Sequence, residues 1–296
     1  MDYDLCKQFD TLRSSFPDDL ENYSSVDFRQ NENIKYYCSN GESGKTECKT
    51  DLDKINAGCL WLFEQLFVKK KNNNINTVQY IIIWLSYKLN KKYDEIKDLN
   101  EFYTKCIKNN KHYTECKQNG KDCSDSLNSN TGYRNYKKII DVRKNLLSTN
   151  IKNMSKIYDA FKLLCNVYTE LNANNQCMTC LEKAKNFVNK YNELNDDSSI
   201  SGDSSCKQVL STLSIDYNNF KSSCDSSNNG CRNIPSLTST ETEESGMQSS
   251  EKICNDTPSF SIVKKLILAL LIFSTISIFL GIFFKVNNKK FKNYFH

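Results

Sequence analysis

Apolar residues recur along this chain at helical rather than strand spacing. Ile140, Leu147, Ile151, Met154, Tyr158, Phe161, Cys165 and Tyr168 follow one another at steps of three, four or seven. That pattern predicts one face of a long helix over residues 134–171. Val78, Ile82, Leu85 and Leu89 make a second row. Ile96, Leu99, Tyr103 and Cys106 continue it in phase after a polar break at Asn90–Lys92. Cys206, Leu210, Leu213, Tyr217, Phe220 and Cys224 make a third, and shorter rows occupy Leu52–Phe67 and Leu181–Tyr191. Helices gain stability mainly by packing such stripes together, so one shared core is expected. Trp61, Phe63, Trp84 and Tyr87 fall in the most apolar rows and are expected to belong mostly to it. Ile34–Cys38 is the one short strand candidate, and it is weak. Polar connectors are expected at Ser39–Lys45, Lys108–Thr131 and Asp196–Ser205. The fold class is all-α.

The pattern changes twice near the carboxyl end. From Asp225 the chain turns rich in Ser, Thr, Asn and Glu, a composition unable to bury enough surface to offset its ordering entropy. Leu266–Phe284 then reads LILALLIFSTISIFLGIFF, with no charge, no proline and one glycine. A helix of that length spans roughly 28 Å, near the roughly 30 Å of a bilayer's hydrocarbon core. The expected organisation is a helical, cysteine-rich ectodomain over 1–224, a Ser/Thr/Glu-rich stalk over 225–261, a transmembrane helix over 262–285 and a short basic tail over 286–296.

Charge sharpens this division. The net charge is +5, yet residues 1–260 carry 34 basic and 35 acidic side chains. The excess lies in lysines flanking the apolar run: Lys264 and Lys265 before it, then Lys285, Lys289, Lys290 and Lys292. Those lysines suit anionic headgroups. A near-neutral N-terminal part does not suit a nucleic-acid partner. The lysine asymmetry places the tail in the cytoplasm and the large N-terminal part outside. All 14 cysteines precede the run: Cys6, Cys38, Cys48, Cys59, Cys106, Cys116, Cys123, Cys165, Cys177, Cys180, Cys206, Cys224, Cys231 and Cys254. An even number fits an oxidising compartment, and each is a candidate for a disulfide whose partner spacing alone cannot assign. The opening MDYDLCKQFD has neither a basic n-region nor an apolar h-region, so no cleavable secretory signal is expected.

Candidate chemistry is thin. SNGESGKT (Ser39–Thr46) ends like a phosphate-binding loop at Gly44, Lys45 and Thr46, but Ser39 stands where the first glycine belongs and no buried strand precedes it. Without its strand–loop–helix setting the motif carries little weight; Cys38 and Cys48 bracket it as a disulfide-closed surface loop would be bracketed. Cys177 and Cys180 form C-x-x-C in helical, cysteine-rich surroundings, which favours a structural role over redox catalysis. The histidines are His112 and His296. A Cys₃His zinc site from His112, Cys106, Cys116 and Cys123 is conceivable, but bridges are the simpler use of those cysteines. His-dependent nucleophilic catalysis would rest on His112 alone. The pairs Asp18–Asp19 and Asp196–Asp197 are expected to be solvated. Sequons at Asn22, Asn153 and Asn255 matter only in a cell that glycosylates them. The expectation is no catalytic residue, no cofactor and no metal.

Several stretches, in order, resemble the Plasmodium interspersed repeat (PIR) variant proteins of malaria parasites, in the form found in rodent-infecting species. They are LCKQFDTLR (Leu5–Arg13), TDLDKINAGCLWLFEQ (Thr50–Gln65), IIIWLSYKLN (Ile81–Asn90), LNEFYTKCI (Leu99–Ile107), CKQNGKDCSDSL (Cys116–Leu127), TGYRNYKKIID (Thr131–Asp141), IYDAFKLLCNVYTE (Ile157–Glu170) and QVLSTLSIDYNNFK (Gln208–Lys221). The resemblance implies a mostly helical, disulfide-braced ectodomain, one C-terminal membrane span and no enzymatic activity. It implies a variant antigen of the infected red cell or parasite surface, acting in antigenic variation, immune evasion or host-cell interaction. Its partners would be a membrane and a host-cell receptor or antibody. The alternatives are a scaffold on the parasite's side of a membrane and, further off, a nucleotide-binding protein using Gly44, Lys45 and Thr46. Function would then sit in the loops Cys38–Cys48, Lys108–Thr131 and Asn172–Cys180.

Overall fold

The structure is a computed structural model. It describes residues 1–19, 28, 32–39, 47–92, 96, 98–118, 120–174, 177–226 and 233–237. The apolar run Leu266–Phe284, the tail, Cys231, Cys254 and Gly44–Thr46 lie outside these. Among the described residues no helix is long and apolar enough to cross a membrane.

The described part is helical. In order it comprises α1 (Tyr3–Ser15), α2 (Glu32–Lys35), α3 (Asp51–Phe63), α4 (Val78–Lys92), α5 (Leu99–Phe102), α6 (Lys111–Thr114), α7 (Ser124–Thr131), α8 (Tyr136–Asp141), α9 (Ile151–Lys156), α10 (Tyr158–Asn174), α11 (Cys177–Asp196), α12 (Ser198–Ser201) and α13 (Ser204–Ser226). π-Helical turns extend α3 through Glu64–Lys69 and α5 through Tyr103–Ile107. A minimal hairpin, β1 (Lys117–Gln118) and β2 (Lys121–Asp122), pairs Lys117 with Asp122 and Gln118 with Lys121.

Local chemistry sets the helix ends. Asp2 caps α1 by accepting from the Leu5 N–H at 2.8 Å. Thr50 and Asp53 form a reciprocal capping box at α3, satisfying N–H groups that the first turn leaves without partners. Asp98 caps α5, and Asp203 accepts from the Ser205 and Cys206 N–H groups at the start of α13. Gly132, at φ +79°, closes α7 in the left-handed conformation that glycine adopts without strain.

The helix expected over 134–171 is divided. After α8 come a 3₁₀ turn (Lys144–Ser148), an extended Thr149, α9 and then α10. Asn150 is the reason: its side chain accepts from the Lys152 and Asn153 N–H groups, and Ser148-Thr149-Asn150 is a run of short polar residues that favour caps over helix interiors. Ile34–Cys38 is helical rather than extended, as α2 followed by a 3₁₀ turn at Tyr36–Cys38. Lys108–Thr131 is more than a loop, since it holds α6, the hairpin and α7. α1 lay unassigned in the apolar rows, although Leu5, Phe9, Leu12 and Phe16 sit at steps of three and four and are at most 2% exposed.

α10 lies against α11, α1, α4 and α13; α4 packs on α9 and α3. Their shared core holds Phe9, Trp84, Tyr158, Phe161 and Tyr217. The Phe9 and Phe161 rings meet edge to face at 4.8 Å, a favoured aromatic geometry. α13 runs past Cys224 to Ser226, and Asn233–Leu237 lies back against it: Ile234 is buried and the Tyr217 hydroxyl donates to the Pro235 carbonyl at 2.7 Å. Folded chain therefore continues beyond the composition change at Asp225.

Candidate functional site

The buried charges are structural. Asp18, expected to be solvated, is buried: its Oδ2 accepts from the Tyr158 hydroxyl at 2.9 Å and its Oδ1 lies 3.1 Å from Lys88 Nζ. Lys88 also donates to the Phe16 and Pro17 carbonyls at 2.9 Å each. A fully buried ammonium needs such partners. Asp19 is exposed, and Asp197 caps α12 and pairs with Lys156 at 2.7 Å. Asp216 binds the Met1 amine at 2.6 Å and the Tyr80 hydroxyl. These groups tie helices together, and Lys156 and Asp197 also line a surface cleft with Asp159, Lys190 and Glu193.

The disulfides gather the exposed loops. Among the described residues three bridges are present: Cys6–Cys165, Cys38–Cys48 and Cys116–Cys123. Cys59, Cys106 and Cys206 carry thiols. Cys180 and Cys224 are buried, and both lie close enough to the Tyr217 hydroxyl to influence it. The side chain of Cys177 lies outside the description, as do Cys231 and Cys254. Cys116 and Cys123 bond each other, so the conceivable Cys₃His site is not assembled. Among the described residues no three His, Cys, Asp or Glu side chains are grouped to hold a metal.

His112 joins two loops that spacing alone left separate. Its Nε2 lies 3.3 Å from Ser39 Oγ, beside the Cys38–Cys48 bridge. Its ring packs edge-on to Tyr36 at 4.9 Å and Tyr37 at 5.1 Å. Burial, with help from Lys117, lowers its pKa to about 4. Four residues on, Cys116–Cys123 closes the β1–β2 hairpin, where the Cys123 N–H donates to the Cys116 carbonyl at 3.0 Å. Glu115, Lys117, Gly120, Lys121 and Asp122 are exposed there, and Tyr36 is 40% exposed beside them. Gly120 needs its φ of +76° to turn the hairpin. Beneath, the Tyr37 hydroxyl donates to Glu64 at 2.9 Å and anchors the cluster to the end of α3. The result is the exposed hairpin clasped to the Cys38–Cys48 bridge over an aromatic base. Of the three loops expected to carry function, Cys38–Cys48 and Lys108–Thr131 meet here; most of Asn172–Cys180 lies outside the described side chains. His112, weighed in the sequence for zinc and nucleophilic chemistry, instead packs between the two loops.

The comparisons agree with this architecture. A solved structure described as that of a Plasmodium PIR protein ectodomain matches with a TM-score of 0.59 and 30% identity, over 81% of this chain and 98% of that one. No curated protein matches the chain. The family model for the Plasmodium variant antigen protein Cir/Yir/Bir matches residues 6–285, and the chain belongs to that family of variant antigens.

Proposed function

We propose that this protein is a membrane-anchored surface antigen that displays the two clasped loops around His112 to host cells or antibodies, in antigenic variation, immune evasion or host-cell interaction. The observation that carries this reading is family membership over nearly the whole chain, joined to a surface whose exposed residues are carried on disulfide-closed loops rather than in the core. A rigid scaffold under exchangeable loops lets contact residues vary at little cost to folding. The uncharged run Leu266–Phe284 supplies the anchor, and its lysine flanks orient the N-terminal part outward. Membership in a family of variant antigens speaks against an enzyme. The test is protease treatment of intact infected cells, read with antibodies to the Cys116–Cys123 hairpin. Loss of the epitope without permeabilisation is the expected result. Protection until permeabilisation would instead place the domain on the parasite's side, as a scaffold. Carbonate extraction checks the anchor: release of the full chain from membranes overturns it.

A further inference from the structure

Tyr103 gathers cations from separate stretches of the chain. It opens the π-helical turn that extends α5, and its hydroxyl donates to Asp141 at the end of α8 at 2.6 Å. Lys137, one helical turn before Asp141, pairs with that carboxylate at 2.8 Å, and its Nζ stands 5.4 Å from the centre of the Tyr103 ring. Lys144 Nζ, from the 3₁₀ turn after α8, stands 6.0 Å from the same point. Both distances suit a cation drawn to an aromatic face. Packing fixes the arrangement: α5 lies against the Lys144–Ser148 turn, and Asp98 and Asn150 form an antiparallel backbone bridge at the start of α5. Lys108 closes the π turn, its N–H donating to the Tyr103 carbonyl at 2.8 Å, so it sits one turn above the ring. Lys138 is exposed beside Lys137 on α8, and Arg143 donates to the side-chain carbonyl of Asn76.

Asp141 is the carboxylate of this set, and Lys137 and Tyr103 already engage it. Among the described residues no carboxylate pairs with Lys108, Lys138, Arg143 or Lys144. Like charges left together at a surface repel one another, and an anionic partner relieves that repulsion. The positive field is local, because residues 1–260 are near neutral as a whole. It suits a flexible polyanion touching a few cations, not a nucleic-acid duplex, which needs a broad basic face. Lysines predominate here, and their point charges on flexible stems adapt to unevenly spaced anions. Val142 is the large apolar side chain exposed beside them, at 43%, which is too little to seat the surface in a lipid interface. We propose that the surface around Tyr103 binds a sulfated polysaccharide. Lys108, Lys138 and Lys144 hold its sulfates, and Lys137 and Arg143 strengthen the field behind them. The site shares no residue with the cluster of Tyr36, Tyr37, Ser39 and His112, so it is a second contact surface.

The test incubates the full chain in neutral detergent with heparin, acetylates accessible lysines briefly and maps them by mass after digestion. Heparin should shield Lys108, Lys138 and Lys144 several-fold, and leave Lys70 and Lys183, paired with Asp4 and Glu170, reacting as before. Hyaluronan, which carries no sulfate, should shield none of the three. In the double variant Lys108→Gln, Lys144→Gln, heparin affinity at physiological salt should fall about tenfold. The slope of log affinity against log salt should fall by about 1.5, because each lost contact removes roughly 0.7–0.9. Shielding confined to Lys117 and Lys121 of the hairpin, or to the lysines flanking Leu266–Phe284, overturns the proposal, as does unchanged affinity in the double variant. Shielding by phosphatidylserine vesicles and not by heparin makes the surface a membrane contact and also overturns it. If the double variant loses its helical circular dichroism, the shielding map of the parent chain decides alone.

Discussion

Cys6 and Cys165 are bonded across a sequence separation of 159 residues, joining the first turn of α1 to the middle of α10. The other two bridges close separations of 10 and 7. In the chain-entropy picture the long bridge removes the most freedom from the unfolded state, about 2.5–3 kcal/mol more than either short one. The double variant Cys6→Ala, Cys165→Ala should lose roughly 3–5 kcal/mol, measured by urea denaturation followed through helical circular dichroism. Removing Cys38–Cys48 should lose about 2 kcal/mol. Equal losses at the two sites would mean that local packing, not chain entropy, governs the long bridge.

Gly58 and Trp84 set how closely α3 approaches α4. A Cβ on Gly58 would stand 2.8 Å from the tip of the Trp84 ring and 3.6 Å from Phe16. Trp84 is fully buried and cannot swing away. Gly58→Ala should therefore destabilise the protein by about 1–3 kcal/mol through overpacking, against the gain alanine usually brings to a helix interior. The companion Gly58→Ala, Trp84→Phe should recover part of the loss in the same denaturation assay. A stabilising single substitution would show that the two helices have slack here.

The long rows on α4, α10 and α13 were legible in the sequence because their apolar stripes are uninterrupted and face one core. The breaks were not. Asn150 divides the 134–171 pattern without disturbing its phase, since Ile151 and Met154 are buried just as they would be in a continuous helix. A cap is a local event, and apolar spacing does not record it. α6 and the β1–β2 hairpin are too short to show a period; the Cys116–Cys123 bond, not hydrophobic pattern, holds that turn. The candidate surface was half legible. Cysteine spacing marked its two loops, but His112 packing against Tyr36 and Tyr37 is a tertiary contact between segments far apart in the chain. Asp18 was misjudged for the same reason, because its partners Lys88 and Tyr158 come from distant helices.

Lys88 fixes the chain leaving α1 onto α4. Its ammonium lies 3.1 Å from Asp18 Oδ1 and 4.4 Å from the centre of the Phe16 ring, in addition to its two carbonyl bonds. Lys88→Met leaves Asp18 buried with only the more distant Lys162, 3.8 Å from its Oδ2, a change that costs on the order of 3 kcal/mol. Adding Asp18→Asn removes the stranded charge and should restore a good part of that stability, since Tyr158 can still donate to the amide oxygen. Thermal melting of the two variants decides the point. If the double variant melts no higher than Lys88→Met alone, the carbonyl bonds to Phe16 and Pro17, not the ion pair, are what Lys88 supplies.

His112 gives the candidate surface a pH dependence whose sign follows from its burial. The ring is 8% exposed between Tyr36, Tyr37 and Ser39. Burial, then the nearby Lys117 charge, lower its pKa to about 4, against an unfolded value near 6.5. Between those values the unfolded chain takes up a proton that the folded ring refuses, so acid favours unfolding. The stabilising contribution is complete above pH 6.5 and is lost as pH falls toward 4, at most about 3 kcal/mol. His112→Phe keeps an aromatic ring in the cluster and removes the proton site. Its stability should fall less steeply between pH 6.5 and 4 than that of the parent, by close to one proton's worth of slope in urea midpoints taken at each pH. Parallel slopes for parent and variant would show that carboxylates elsewhere, not His112, set the acid limit of this fold.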